Sequence, residues 1–174
     1  VDLRFVAPDL RKLDAVRGEA LAVGIFADLR PLRGASGIID WRLGGFLSRQ
    51  LQAGRVTGAD RELTLVPTNG RLSIEKIVIV GLGSTAQFDG DVFEASCRTL
   101  LDALHEARVR SSFVALPGRA EKKIGAAEAI ERFVRALATG PEPDEITLVE
   151  GPDGQREMEP VLAREQRRAR AFAP

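Results

Sequence analysis

The sequence predicts an α/β domain built on a mixed, mostly parallel sheet flanked by helices, and three observations carry that reading. Ala20 to Phe26 (ALAVGIF) is almost uninterrupted in its apolar character, as a strand buried on both faces must be. Asp89 to about Ala107 has the signature of a long amphipathic helix. From that helix onward, helical and strand-like patterns alternate, which calls for crossover connections and helices packed on the sheet.

Taken in order, residues 2–6 (DLRFV) alternate and read as a short first strand. The Ala20–Phe26 strand is followed by a loop marked by Pro31, Gly34 and Gly37. Asp40 then opens a helix with Leu43, Phe46, Leu47 and Leu51 at three- and four-residue spacing, closing near Gly54. Glu62 to Val66 and Lys76 to Val80 read as strands joined through the turn residues Thr68-Asn69-Gly70. Asp89 is a good N-cap, with Asp91 and Glu94 in the first turn where the helix dipole favours acids. Phe88 and Phe93 have the spacing of a hydrophobic staple. Ser111 to Leu116 is a strand stopped by Pro117-Gly118, and Ala126 to Ala138 is a helix with Ile130, Phe133, Val134 and Leu137 along one side. Glu145 to Val149 is a last strand, and Glu159 to Arg170 a final, mostly polar helix. Gly140-Pro141-Glu142-Pro143 is the candidate linker, dividing a domain of residues 1–140 from an extension of residues 141–174.

Composition narrows the function classes. The 174 residues are 44% hydrophobic and 29% charged, ordinary for a globular domain large enough to fold without staples. The single cysteine, Cys97, rules out an internal disulfide framework. No apolar run approaches the ~20 residues that span a bilayer, and the start of the chain lacks a signal-peptide pattern, so a cytoplasmic protein without membrane contact is expected. The 25 basic residues (Lys12, Lys76, Lys122, Lys123 and 21 Arg) balance 25 acidic ones. That balance gives no global drive towards nucleic acid. Arg164, Arg167, Arg168 and Arg170 cluster near the end, but from Arg156 onward five Arg face Glu157, Glu159 and Glu165, a net of only +2, and a solvated or partner-facing helix is the expected reading.

Chemistry-bearing motifs are few. Gly81, Gly83 and Ala86 follow a buried strand and match the spacing of a dinucleotide fingerprint. That motif needs a helix opening at its glycines, with amide groups free for a pyrophosphate. The cap at Asp89 starts the helix too late, so the glycines are expected to shape a tight strand exit. Pro117-Gly118-Arg119 leads a charged loop beyond another strand end, the end where open α/β sheets bind ligands. Gly81, Gly83, Ser84, Gly118 and Arg119 are therefore the candidate ligand-binding residues. His105 has no second histidine or cysteine cluster to join in a metal site. Cys97, eight residues earlier on the same helix, lies about 12 Å along the axis, too far for a nucleophile–base pair. No catalytic residue, metal or cofactor is expected.

Several segments in order resemble the amino-terminal, non-catalytic domain of the leucyl (cytosol) aminopeptidase family: ALAVGIF, DWRLGGFLSRQLQAG, ELTLVPTNGRLSIEKIVIVGLGS, VALPGR and AIERFV, from about Glu19 to Leu137. EITLVEGP and the helix after it look like the family's lead-in to its catalytic domain. The resemblance implies a macro-domain-like α/β fold at the periphery of a hexameric enzyme. It places the peptidase chemistry in a following domain, where Lys, Asp and Glu residues of motifs such as NTDAEGR hold two metal ions. Those motifs do not occur in these 174 residues, so no catalytic residue carries over. The expected role is a stand-alone interaction, regulatory or oligomerisation module, associating with itself or with a catalytic aminopeptidase. Two alternatives stay open, an excised part of a metal-dependent leucyl aminopeptidase and a macro-like binder of ADP-ribose or another nucleotide.

Overall fold

A computed structural model describes residues 3–141 and 143–171, with side chains to residue 168 in the last helix. Its elements run β1 (Leu3–Val6), α1 (Leu10–Ala15), β2 (Gly18–Ile25), α2 (Gly34–Arg42), α3 (Phe46–Gln52), β3 (Leu63–Pro67), β4 (Ile74–Gly81), α4 (Gly90–Glu106), β5 (Ser111–Val114), α5 (Ala126–Thr139), β6 (Glu145–Val149) and α6 (Pro152–Ala171). Asp2 of the expected first strand, Glu142 of the expected linker and the side chain of Arg170 lie outside the described residues.

The six strands form one sheet in the order β1-β6-β5-β2-β4-β3. Every neighbouring pair is parallel except β3 and β4. This is the mixed, mostly parallel sheet that the sequence predicts. Central β2 carries Ala20, Leu21, Ala22 and Val23 at 0–1% exposure, because helices cover both of its faces. On one side Phe93, Cys97, Leu100, Ile130, Phe133 and Met158 from α4, α5 and α6 pack against the alternate residues Ala20, Ala22, Val78 and Val80. On the other, Leu13, Ile39 and Leu47 from α1, α2 and α3 meet Leu21, Val23, Ile77 and Ile79. The period of two along each strand sends neighbouring residues to these two cores.

The best-signed helix forms as its sequence dictates. The Asp89 carboxylate accepts from the amides of Asp91 and Val92 at 3.0 and 2.9 Å, and Phe88 and Phe93 join one core. β6 then enters the sheet between β1 and β5, and α6 packs along α5.

Four expectations need correction. The stretch after Pro31 is helical from Gly34. The single helix expected from Asp40 to Gly54 is two, α2 and α3, broken where Gly44 and Gly45 take φ of +65° and +77°. Asp40 caps the second of them from a distance, accepting from the amide (3.1 Å) and hydroxyl of Ser48 in the first turn of α3. α1 was not anticipated, since six residues burying one leucine leave no periodicity to see, although Asp9 caps it through Arg11 and Lys12. Finally, α6 begins at Pro152 rather than Glu159. Gly-Pro-Asp-Gly reads as a turn, yet proline suits the first helical position and Asp153 the first turn.

Candidate functional site

In a mostly parallel sheet, the loops at the carboxyl ends of the strands share one edge, and ligands of such folds bind there. Here that crest brings together Phe26–Asp28 after β2, Leu82–Phe88 after β4, Ala115–Gly125 after β5 and Glu150–Gly151 after β6. All five candidate ligand residues lie on it, in two groups, Gly81 at the end of β4 with Gly83 and Ser84 in the loop after it, and Gly118 and Arg119 in the loop after β5.

The first group is a packed strand exit. Leu82 donates to the Ile25 carbonyl, and Ala27 to that of Gly83, both at 2.9 Å, so the β2–β4 ladder continues past Gly81. The loop before β3 lies directly across it. A Cβ on Gly81 would stand 1.8 Å from the Ala59 carbonyl oxygen, and Gly83, at φ +70°, donates to the Gly58 carbonyl at 2.9 Å. Backbone, rather than a ligand, fills the space that these glycines open. Glu62 fixes the covering loop, accepting from the amides of Thr57 and Gly58 at 2.9 and 2.8 Å and from the Thr57 hydroxyl at 3.0 Å. Burial pushes the Glu62 carboxyl up, and these hydrogen bonds outweigh it and leave the group below its ordinary value of 4.5. The Ser84 carbonyl accepts from Gln87 in a turn. Next to it, Asp28 accepts from the Thr85 amide and hydroxyl at 2.9 and 3.0 Å; the amide bond above all lowers its pKa. Asp89 has already occupied the amides at the start of α4, so they are not offered to an anion.

The second group is closed in a different way. Gly118 sits at φ +73° with the Phe88 ring over it, where a Cβ would come within 2.6 Å. Phe88 in turn meets Phe26 edge-to-face, with centroids 5.1 Å apart. Arg119 holds both carboxylate oxygens of Glu150 at 3.0 and 3.1 Å and gives a third bond to the Ile124 carbonyl at 2.8 Å. Both side chains are mostly buried, 18% and 12% exposed, so the guanidinium is committed to this fork. Across from it, the start of α2 presses on the same loop, since a Cβ on Gly34 would stand 2.5 Å from that of Ala120. Between Gly34, Leu116, Arg119, Glu150 and Gly151 a cavity of about 80 Å³ remains. Burial raises the pKa of Glu121 in this loop, against the pull of the Arg33 charge.

The sequence reading missed Asp28, Glu62 and Glu150. Of these, Glu150 was visible, an acid one residue past a strand end. Asp28 acts on an amide 57 positions away that only folding brings close, and Glu62 acts on amides four and five positions before it in an irregular loop that carries no periodic signal.

Away from the crest, His105 and Cys97 share α4 but not a site. His105 is exposed at the rim of an opening near the far ends of the strands, with Leu104, Arg108, Arg110 and Asp144. Cys97 is fully buried, and burial, aided by the Glu94 charge, pushes its thiol well up. On α6, Arg164 pairs with Glu131 and Glu165, and Arg168 with Glu165. Among the described residues no three His, Cys, Asp or Glu gather as a metal ion requires, and no helix is long and apolar enough to cross a membrane.

The model of the cytosol aminopeptidase family's N-terminal domain matches residues 22–141, more than half of the chain. The chain belongs to this family. A probable cytosol aminopeptidase of Sulfurihydrogenibium sp. is 30% identical over 82 residues, which are 47% of this chain and 16% of that protein. Among solved structures, a tomato leucine aminopeptidase variant superposes with a TM-score of 0.60 at 14% identity, covering 93% of this chain and 35% of its own. A Trypanosoma brucei macrodomain in complex with ADP reaches 0.69 at 15% identity, covering 92% and 68%. At such identities the two structures establish the fold, which is that of macrodomains. The chain thus matches a minor part of the aminopeptidases it resembles.

Proposed function

We propose that this chain is a non-catalytic association module, which docks on the catalytic domain of a cytosol aminopeptidase and acts through that contact. The observation that carries the reading is the closure of the crest. The candidate ligand residues on it are packed by the Ala59 backbone, the Phe88 ring, the Arg119–Glu150 fork and the Gly34–Ala120 contact, which leave a cavity of about 80 Å³ beside Arg119 and an open depression of about 380 Å³ along Lys122, Lys123 and Gly125. Membership of a family whose matched part is an N-terminal domain supports the choice of a catalytic domain as the partner. The test mixes this chain with the purified catalytic domain of a cytosol aminopeptidase from the same organism and measures mass by light scattering. A stoichiometric complex is expected, while the chain alone leaves leucyl anilides intact with added Mn²⁺ or Zn²⁺. Separate elution of the two at concentrations of roughly 100 μM, or turnover by the chain alone, would sink the proposal.

A second reading, a nucleotide site at Gly81, Gly83, Ser84, Gly118 and Arg119, draws support from the ADP-bound macrodomain of the same fold. It requires the crest to open, separating Arg119 from Glu150 and lifting the 58–60 loop. Saturable binding of ADP-ribose would favour it over docking alone.

A further inference from the structure

Two of the three large apolar side chains that the described residues leave in solvent lie together. Among the described residues the large exposed hydrophobics are Trp41, Leu63 and Leu65, and the last two, 49% and 54% exposed, sit on β3, the edge strand of the sheet. Edge strands in soluble proteins are ordinarily blunted by charge or by proline. From Leu63 to Pro67 this one carries no charge, and its proline stands at the very end.

The hydrogen-bond phase of β3 adds a second observation. Gly81 donates to the Glu62 carbonyl at 2.8 Å and Thr68 to the Glu75 carbonyl at 2.9 Å. Bonding alternates along an antiparallel pair, so Thr64 and Val66, with the Glu62 carbonyl and the Thr68 amide at the ends, direct their backbone groups to β4. Leu63, Leu65 and Pro67 direct theirs outward. The exposed leucines are therefore also the residues whose N–H and C=O groups face the open edge. Opposed residues share a face, so Leu63 and Leu65 stand beside Val80 and Val78, on the side of the sheet that α4 covers.

We propose that β3 is a self-association edge, pairing antiparallel with β3 of a second copy about a two-fold axis at Thr64. In that register Leu63 lies opposite Leu65 of the other copy, and all outward N–H and C=O groups of the four leucines are satisfied. A shift that centres the axis on Leu65 sets Leu63 opposite Pro67, which has no N–H to give, and strands a carbonyl in each copy. Proline thus selects the register. The four leucine side chains meet on one face and extend the apolar surface under α4 across the axis. In the same register Arg61, paired with Asp60 of its own copy, lies opposite Pro67 and Glu62 lies opposite Val66, so no like charges are directly opposed across the seam. Two six-stranded sheets become one. This assignment stands apart from docking on a catalytic domain, because its test needs this chain alone.

Light scattering at roughly millimolar chain concentration should give about twice the 18.8 kDa chain mass. Leu65→Pro removes an outward N–H without touching the ladder to β4, and is expected to weaken the dimer by at least about tenfold with an unchanged circular dichroism spectrum. Thr64→Cys places two thiols in a non-hydrogen-bonded pair, with Cα atoms about 4.5 Å apart, within disulfide reach. Cys97 is buried, so an oxidised dimer of this variant reports the register. If Leu65→Pro unfolds, the cross-link alone decides, its presence supporting the edge and its absence overturning it. A monomer mass throughout, or a dimer that folded Leu65→Pro leaves intact, also overturns it.

Discussion

The two faces of the sheet are built by different rules. The face under α4, α5 and α6 is covered by helices of 17, 14 and 20 residues, and the other by helices of 6, 9 and 7. A long helix declares itself through several turns of periodic apolar residues and its own cap, as α4 does with Phe93, Cys97, Leu100, Leu101 and Leu104 behind Asp89. Helices as short as α1, α2 and α3 are marginal alone and take their stability from tertiary contacts. α3 shows this most clearly, because its cap comes from Asp40 in the preceding helix. The thick face is therefore specified locally and the thin face by the fold as a whole.

The comparison can be broken at several points. Ending the chain after Gly140 should have the largest effect, since it removes β6 from between β1 and β5 together with α6. We expect no cooperative thermal transition; a sharp one would mean that residues 1–140 form a domain by themselves. Phe93→Ala empties the thick core and should cost about 3–5 kcal/mol, against about 2–4 for Leu47→Ala on the thin side. Urea denaturation compares the two, and equal losses would erase the distinction between the faces. Asp40→Ala should cost about 1–2 kcal/mol and speed amide exchange in α3 rather than α2, whereas Asp89→Ala should cost about 1 and loosen the start of α4. The smallest effect concerns Glu62. Its folded pKa lies below 4.5, so the stability it contributes is present above its ordinary pKa and is lost as pH falls through the lowered value. Glu62→Gln should flatten the decline in melting temperature on acidification below about pH 5.

How much was legible follows the same division. All six strands were anticipated to within a few residues, because continuous apolar runs and Pro or Gly stops are local signals. So were α4 and α5. The crest was half legible. Its glycines were visible and their structural reason was inferred from the late cap at Asp89, but the atoms that fill it were not. Ala59 over Gly81, Phe88 over Gly118 and Gly34 against Ala120 each join segments 20 residues apart or more, and nothing within either segment signals the other. Arg119 was singled out as a candidate ligand-binding residue and sits in an ion pair, because its partner Glu150 arrives just past β6, 31 positions later.

The central claim, that the candidate ligand residues of the crest are occupied by the chain's own groups and the module works by contact, is tested most directly by backbone amide NMR during titration with ADP-ribose. We predict that the amides of Gly83, Gly118 and Arg119 keep their shifts up to millimolar ligand. Saturable movement of those three signals, with the Arg119–Glu150 fork opening, would contradict it.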